Sequence, residues 1–563
     1  MTNHDVRALA EEFWEALLEA SPSFATFVGD HRYDDRIEDV TAEAEQRQRT
    51  QWAGLKGRLE AIDPAGLSPA DRVIRGLLLG ETTDAIDAID QGLVELRSDQ
   101  MAGVHVDLLQ TNGVLSVGEP DHAHRIVDRF RQIPALLDAA CDRFVAGAAA
   151  GRTPARVCID RSLNVVDGYL GTPLADDVFA NFAYNAPSPW AGEEAWRDEL
   201  RTVVEDEIRP AFAAYRARLA DELLPVARPD DRAGLSWLPG GDAIYASLVR
   251  HHTTLELSPA EIHQFGLDEV HVRLPADYAE VGGRLFGTGD LAVIFERLRS
   301  DPALRYDTAE EIMDDARRGL ALATEAMPAW FGKLPQSPCA IEEVPAYLAA
   351  DSPAAYYFPP AGDGSRPGTY FVNTHEPAQK NRYEAASVAY HEAIPGHHLQ
   401  IAIANELTDV PQFQRFSLSN TAYVEGWGLY SERLADEMGL YLSDLDLIGM
   451  LAADSWRACR LVVDTGLHAM GWSRQQAIDY MAENTPVSVE EVTVEIDRYI
   501  GLPGQALAYK VGQREIFRLR EHAREQLGER FDIKGFHDTV LGSGAVTLPI
   551  LGDLVDAWVA AAG

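Results

Sequence analysis

His391-Glu392-Ala393-Ile394-Pro395-Gly396-His397-His398 places three histidines and a glutamate within eight residues of a chain that has only 16 histidines in 563. That density points to a metal site. In the HExxH arrangement, two histidines four apart on one helical face bind zinc, and the glutamate between them activates water. Here His397 and His398 follow His391 by six and seven residues. On an unbroken helix seven residues span about 10 Å, too far for one ion with bonds of about 2 Å. Pro395 supplies a remedy, because it has no N–H to give to the carbonyl of His391, and Gly396 accepts backbone angles other residues avoid. A two-residue bulge brings His397 to the place of the second histidine. His391 and His397 are the expected ligands, with His398 beside them or facing substrate; the reverse choice of His398 stays open.

Catalytic zinc usually takes three protein ligands and leaves one position for water. Thr421-Ala-Tyr-Val-Glu425-Gly-Trp-Gly-Leu-Tyr-Ser-Glu432 follows one loop later with helical patterning. Glu425 is the expected third ligand. Gly426 and Gly428 are expected to let this helix approach the metal helix closely, at about 1 kcal/mol of helix propensity each. Glu432, on the same face, is either a hydrogen-bond partner of a histidine ligand or a solvated carboxylate beside Arg433.

Outward from this segment the chain reads as mainly α. Residues 1–235 form successive amphipathic helices, and the turn-rich stretch 225–242 is the expected boundary before a second region, 236–563, that carries the metal site at 391–432. Ser258-Pro259-Ala260-Glu261 has the signature of a helix start, with Ser258 as cap and Pro259 in the first turn. Between 338 and 377, Pro, Gly and Tyr accumulate around the β-favouring runs 354–358 and 369–374, which predicts a small sheet beside the site.

The composition narrows the function classes. Hydrophobic residues make up 46% and charged residues 25%, an ordinary globular mixture, and 89 acidic against 49 basic side chains leave a net charge of −40. A field of that sign repels polyphosphate and anionic lipid, so no nucleic acid and no membrane surface is expected as a partner. The four cysteines lie far apart with no CxxC pair, which argues against a cysteine zinc site and for core thiols in a reducing compartment. Val6, Leu9, Phe13, Leu17 and Leu18 alternate with glutamates at helical spacing, unlike a signal peptide, and no apolar run reaches membrane length. A cytoplasmic location is the resulting expectation. The oligomeric state has no signature.

The motif His391-Glu-Ala-Ile-Pro-Gly-His-His-Leu-Gln400 resembles the hallmark HE-x-x-P-G-H-H-x-Q of the bacterial family known as domain of unknown function 885. The segments Glu425–Glu432, Arg460–His468 and Pro503–Gly512 are similar to the same family. That family in turn looks like a distant relative of the helical zinc metallopeptidases that include angiotensin-converting enzyme, thimet oligopeptidase and neurolysin. The resemblance implies a two-lobed helical fold, with one zinc ion per chain in a deep cleft. It also implies an edge strand at 369–374 that holds the substrate backbone, so that Asn373 and His375 face the cleft; a loop histidine capping a turn is the other reading of His375. A late-sequence tyrosine as oxyanion donor is implied as well, with Tyr509 the choice and Tyr499 the competitor.

The expected function is a zinc-dependent peptidase acting on short peptides, with Glu392 taking a proton from the activated water and passing it to the leaving amine. Lys510 could hold a substrate carboxylate, which would make the enzyme a carboxypeptidase, or it is a surface charge. Arg460 and His468, eight residues apart, could face the cleft, although a buried structural histidine is an equal reading. The alternatives are an amidase or isopeptidase on the same metal site and a binding protein without turnover.

Overall fold

The computed structural model describes residues 3–562 apart from 186–189, 346–348, 350–352, 361–366 and 418. The fold is mainly α, with two small sheets. The chain divides into two compact units. The first comprises Met1–Ile244 with Gly471–Gln475 and Asp497–Leu502; the second comprises Tyr245–Met470, Gln476–Ile496 and Pro503–Gly563.

In the first unit, periodic apolar residues turn inward as the sequence predicts: Val6, Leu9, Phe13 and Leu18 of helix Asn3–Ala20 are buried. Its main core joins Phe130, Phe144, Trp196, Phe212 and Tyr215 from successive helices with Phe179 from a turn. The stretch 225–242 carries three short 3-10 turns, and the helix Gly241–Thr253 follows. The late segment Asp497–Leu502 joins this unit through a buried carboxylate, because Asp497 accepts from Arg161 at 2.7 Å and from Arg474 at 2.5 Å.

In the second unit the helix Pro259–Asp268 starts with the capping box read from sequence: the Ser258 hydroxyl accepts from the Glu261 N–H, and the Glu261 carboxylate accepts from the Ser258 N–H. Its three-stranded sheet has the order Cys339–Glu343, Gly368–Val372, Ala355–Phe358, the first pair parallel and the second antiparallel. This corrects the expectation of an edge strand at 369–374. Gly368–Val372 is the central strand, and strands on both sides take up its N–H and C=O groups, so it cannot accept a substrate by strand addition.

Five helical segments build the site: the histidine helix Ala385–Glu392, its continuation His397–Asn405, the glutamate helix Thr421–Glu437, the long helix Asp444–Ala469, and the tyrosine helix Ala508–Leu527. Glycines let them approach. A Cβ on Gly428 would lie 2.7 Å from the His391 ring, whereas one on Gly426 would lie 2.5 Å from the Cα of Gly512. Gly428 therefore serves the histidine helix as expected. Gly426 does not; it serves the contact with the tyrosine helix.

A buried ion cluster fixes the tyrosine helix to the rest of the unit. The Asp454 carboxylate on the long helix accepts from the Lys510 ammonium, from Arg433 on the glutamate helix at 2.6 Å and from Arg273 at 2.7 Å. Lys510 also lies 3.0 Å from Glu269 and donates to Gln513 Oε1 at 2.8 Å. Burial works against the charge on Asp454, and Lys510, Arg433 and Arg273 outweigh it, holding the carboxyl well below its usual range. Both sequence readings of Lys510 are thereby corrected. It is neither a surface charge nor available to a substrate carboxylate, because its ammonium is buried and already spent on protein carboxylates.

Removing the acid leaves buried Lys510 and its neighbours Arg433 and Arg273 with only Glu269 and Asp277 to offset them. Asp454→Asn is expected to lower the unfolding free energy by about 3–5 kcal/mol, read from urea denaturation; a change below about 1 kcal/mol would show that the cluster is not what holds the tyrosine helix.

Candidate metal centre

The histidine helix ends at Glu392. The chain leaves helical geometry at Ala393 (φ −98°, ψ −105°), passes a cis Ile394–Pro395 peptide and Gly396, and resumes helix at His397. A side chain at Gly396 would collide with the His391 carbonyl, so the interruption closes tightly only with glycine there. The glutamate helix holds the interruption from the other side: Trp427 Nε1 donates to the Pro395 carbonyl at 2.9 Å, and the Ser431 hydroxyl to the same oxygen at 3.3 Å.

His391, His397 and Glu425 come together with their ligand atoms within 4.8 Å of one another. Glu425 Oε2 lies 3.5 Å from His391 Nε2 and 3.5 Å from His397 Nε2. Two ligand atoms bonded at about 2.0–2.1 Å to one tetrahedral ion stand about 3.3 Å apart, so the set fits a zinc-like ion with little movement. The imidazoles meet at 89°, which lets their in-plane lone pairs converge. A second trio, His31, Asp34 and His122 in the first unit, is built differently: its rings are stacked at 18°, so their lone pairs run side by side rather than toward a common point.

Glu432 is buried and accepts from His391 Nδ1 at 2.7 Å, and its other oxygen accepts from the Ser387 hydroxyl at 2.6 Å. It is no solvated carboxylate beside Arg433, whose guanidinium points to Asp454 and Asp277. This bond fixes the tautomer and turns Nε2 toward Glu425. His397 has no such support among the described residues, since its Nδ1 is buried without a hydrogen-bond partner.

His398 stands apart from the trio. Its Nε2 lies 3.1 Å from the Ser337 carbonyl, which can only accept, so Nε2 carries the proton and Nδ1 accepts from the Tyr357 hydroxyl at 3.0 Å. Burial pushes its pKa down to about 4, so it is neutral, with its one lone pair taken.

Glu392 follows His391 directly, half-buried, and its charge is felt by both His391 and Tyr370. Tyr509 stacks on His391 with ring centroids 6.4 Å apart, and its hydroxyl has no hydrogen-bond partner among the described residues. Tyr499 is buried in the segment Asp497–Leu502, which belongs to the first unit, whereas the trio belongs to the second.

Two further expectations are corrected. Asn373 is buried and donates its amide to the carbonyls of Ala349 and Pro353, and its Oδ1 accepts from the His375 N–H, so it organises a turn instead of facing a substrate. His375 is an exposed turn residue 4.0 Å from the Glu376 carboxylate. His468 is buried with its ring 5.3 Å from Tyr245, on the structural reading. Arg460 stacks on the Tyr509 ring at 4.5 Å and pairs with Glu495 at 3.1 Å.

Sequence reading missed Ser387 and Tyr357. Ser387 had a signal, since it lies one helical turn before His391 on the same face. Tyr357 had none, because its contact with His398 depends on how the strand Ala355–Phe358 docks.

Without an ion, burial opposes charge on His391, but Glu425 and Glu432 outweigh it and raise its pKa to about 10. The protonated ring stabilises the metal-free protein fully below the unfolded value of 6.5, and that contribution is lost as pH rises through about 10. An ion needs the Nε2 lone pair, so the proton competes with it. Zinc titrated between pH 6 and 8 is expected to bind about tenfold more tightly per pH unit, and calorimetry in buffers of different ionisation heat should register release of about one proton. An affinity independent of pH would contradict this ligand set.

The chain is similar over its whole length to two proteins of known structure. A candidate lipoprotein from Colwellia psychrerythraea shares 28% identity with a TM-score of 0.91, covering 99% of both chains. A candidate lipoprotein of unknown function from Shewanella oneidensis shares 18% identity with a TM-score of 0.74, over 98% of this chain and 99% of that one, and shows the fold alone. Among curated proteins the chain has no match. The likeness at 28% identity overturns the cytoplasmic expectation, because that relative is described as a lipoprotein. No described helix is long and apolar enough to cross a membrane. The unpaired cysteines do not decide the compartment either: burial pushes the thiols of Cys141 and Cys339 up to about 12, which keeps them unreactive. The model of the family described as bacterial protein of unknown function (DUF885) matches residues 22–555, and the chain belongs to that family.

Proposed function

We infer that the protein is a zinc-dependent hydrolase of peptide bonds acting on short peptides. The observation that carries this reading is the convergence of His391 Nε2, His397 Nε2 and the Glu425 carboxylate at distances suited to one ion, with Glu392 next in sequence to the first ligand. Two imidazoles and one carboxylate leave an open position on a tetrahedral ion, the composition of catalytic zinc sites. The bound ion supplies Lewis-acid activation of water and of a carbonyl oxygen. The resemblance to the helical zinc metallopeptidases supports the same reading.

In this mechanism Glu392 accepts a proton from the attacking water and later delivers it to the leaving amine, with no covalent intermediate. Tyr509, stacked on His391 with no partner for its hydroxyl among the described residues, donates a hydrogen bond to the oxyanion. Glu432 holds the His391 ring, and Ser387 holds Glu432. The likeness to a candidate lipoprotein at 28% identity supports a location outside the cytoplasm.

Metal content by mass spectrometry, paired with cleavage of a mixed peptide library, tests the reading. Wild type is expected to hold one zinc ion, lost in His397→Ala and Glu425→Ala and kept in His398→Ala. A wild type that binds no metal when zinc is supplied would overturn the proposal. Glu392→Gln should keep zinc and lose about 10²–10⁴-fold in kcat, and Tyr509→Phe about 10²-fold. Undiminished turnover in Glu392→Gln would remove the assigned base.

A further inference from the structure

Tyr509 has two arginines against its ring, both from the long helix Asp444–Ala469. The guanidinium carbon of Arg460 lies 4.5 Å and that of Arg457 5.9 Å from the ring centroid, and both also lie about 5 Å from the ring of Trp456. Arg460 is buried, and its charge is met by Glu495 at 3.1 Å. Arg457 differs. In a chain with 89 acidic side chains, no carboxylate among the described residues lies within 4 Å of it. Among the described residues its buried Nε has no hydrogen-bond partner, and its one hydrogen bond is a long contact of 3.4 Å from Nη1 to the Ala453 carbonyl. Glu384 feels its charge without forming an ion pair.

A half-buried guanidinium whose Nε has lost water and which has no ion-pair partner among the described residues is costly unless a ligand supplies a counter-charge. We propose that Arg457 receives the free α-carboxylate of the substrate and makes the site a carboxypeptidase centre. The assignment rests on the hydrolase reading and gives that site its substrate class: peptides with an unblocked C-terminus. It also moves the carboxylate anchor from Lys510, which Asp454 and Glu269 consume, to an arginine whose planar fork suits a carboxylate.

Distance favours this role. The Tyr509 ring lies beside both groups, 6.4 Å from His391 and 5.9 Å from Arg457. The guanidinium is therefore at most about 12 Å from the metal-side imidazole. A peptide extends about 3.3–3.6 Å per residue, so a carboxylate held by Arg457 leaves room for one or two residues beyond the scissile bond. In the reaction, water adds to the scissile carbonyl and the C–N bond breaks. The shortened peptide keeps the new carboxylate, and the released amino acid or dipeptide leaves with its amine protonated and its original carboxylate on Arg457.

The test uses two N-acetylated tetrapeptide libraries of the same composition, one with free-acid and one with amide C-termini. Cleavage is followed by mass spectrometry on zinc-loaded wild type, and binding by calorimetry on zinc-loaded Glu392→Gln, each with and without Arg457→Gln. Free acids are expected to be cut from the C-terminus and bound about 30-fold more tightly than amides. In Arg457→Gln the acid-over-amide ratio should fall toward one, and Arg457→Lys should restore part of it. Because the ratio is internal to each protein, a general loss of fold does not imitate the result.

Equal cleavage of both libraries overturns the anchor and leaves the hydrolase reading standing. An acid preference in binding with no cleavage by wild type supports the anchor and ends the hydrolase reading. An acid preference that survives Arg457→Gln overturns the anchor, and a library pair neither bound nor cut overturns both.

Discussion

The approach of the glutamate helix to the histidine helix at Gly428 is the contact on which the candidate metal centre depends. Only a hydrogen in place of a side chain lets the His391 ring lie against that backbone, and only at that separation do Glu425 and Glu432, seven residues apart on one helix, reach the two nitrogens of a single imidazole. The helix thus contributes one candidate ligand and the group that orients another. Trp427 and Ser431, between them, hold the Pro395 carbonyl and fix the interruption that delivers His397. One helical surface positions the whole trio.

The Asp454 cluster plays the corresponding part for the tyrosine helix. Lys510 follows Tyr509 in sequence, so anchoring the ammonium in a buried carboxylate fixes the helix start that lays the phenol ring on His391. A buried ion pair contributes little net stability over an apolar replacement, but it is demanding in geometry. That demand suits a residue whose neighbour must sit in one place. The same consumption of Lys510 leaves Arg457 as the positive group beside Tyr509 without an ion-pair partner among the described residues.

Much of the centre was legible because its signals are local. The His391 to His398 cluster, the break at Pro395-Gly396 and the helical spacing of Glu425 and Glu432 all depend on neighbours within a few turns. The cap at Ser258 and the inward face of the first helix were legible for the same reason. The misreadings of Lys510, Asn373 and the strand at 368–372 share a cause: each residue's role is set by partners more than ten positions away. A strand's sequence does not say whether it has one neighbour or two, and a lysine's does not say whether an aspartate 56 residues earlier will meet it.

By itself the sequence determined a mainly α chain of this family, with a histidine-rich kink and a carboxylate helix to complete it, because periodicity, capping and backbone freedom act over short range. Only the tertiary structure decided which histidine joins the trio and which is spent. His397 and His398 are adjacent, and a helical backbone sends their side chains in directions about 100° apart. One ring then meets Glu425 and the other meets Tyr357 and the Ser337 carbonyl, and that division follows from the docking of the strand and the glutamate helix, which no local pattern encodes.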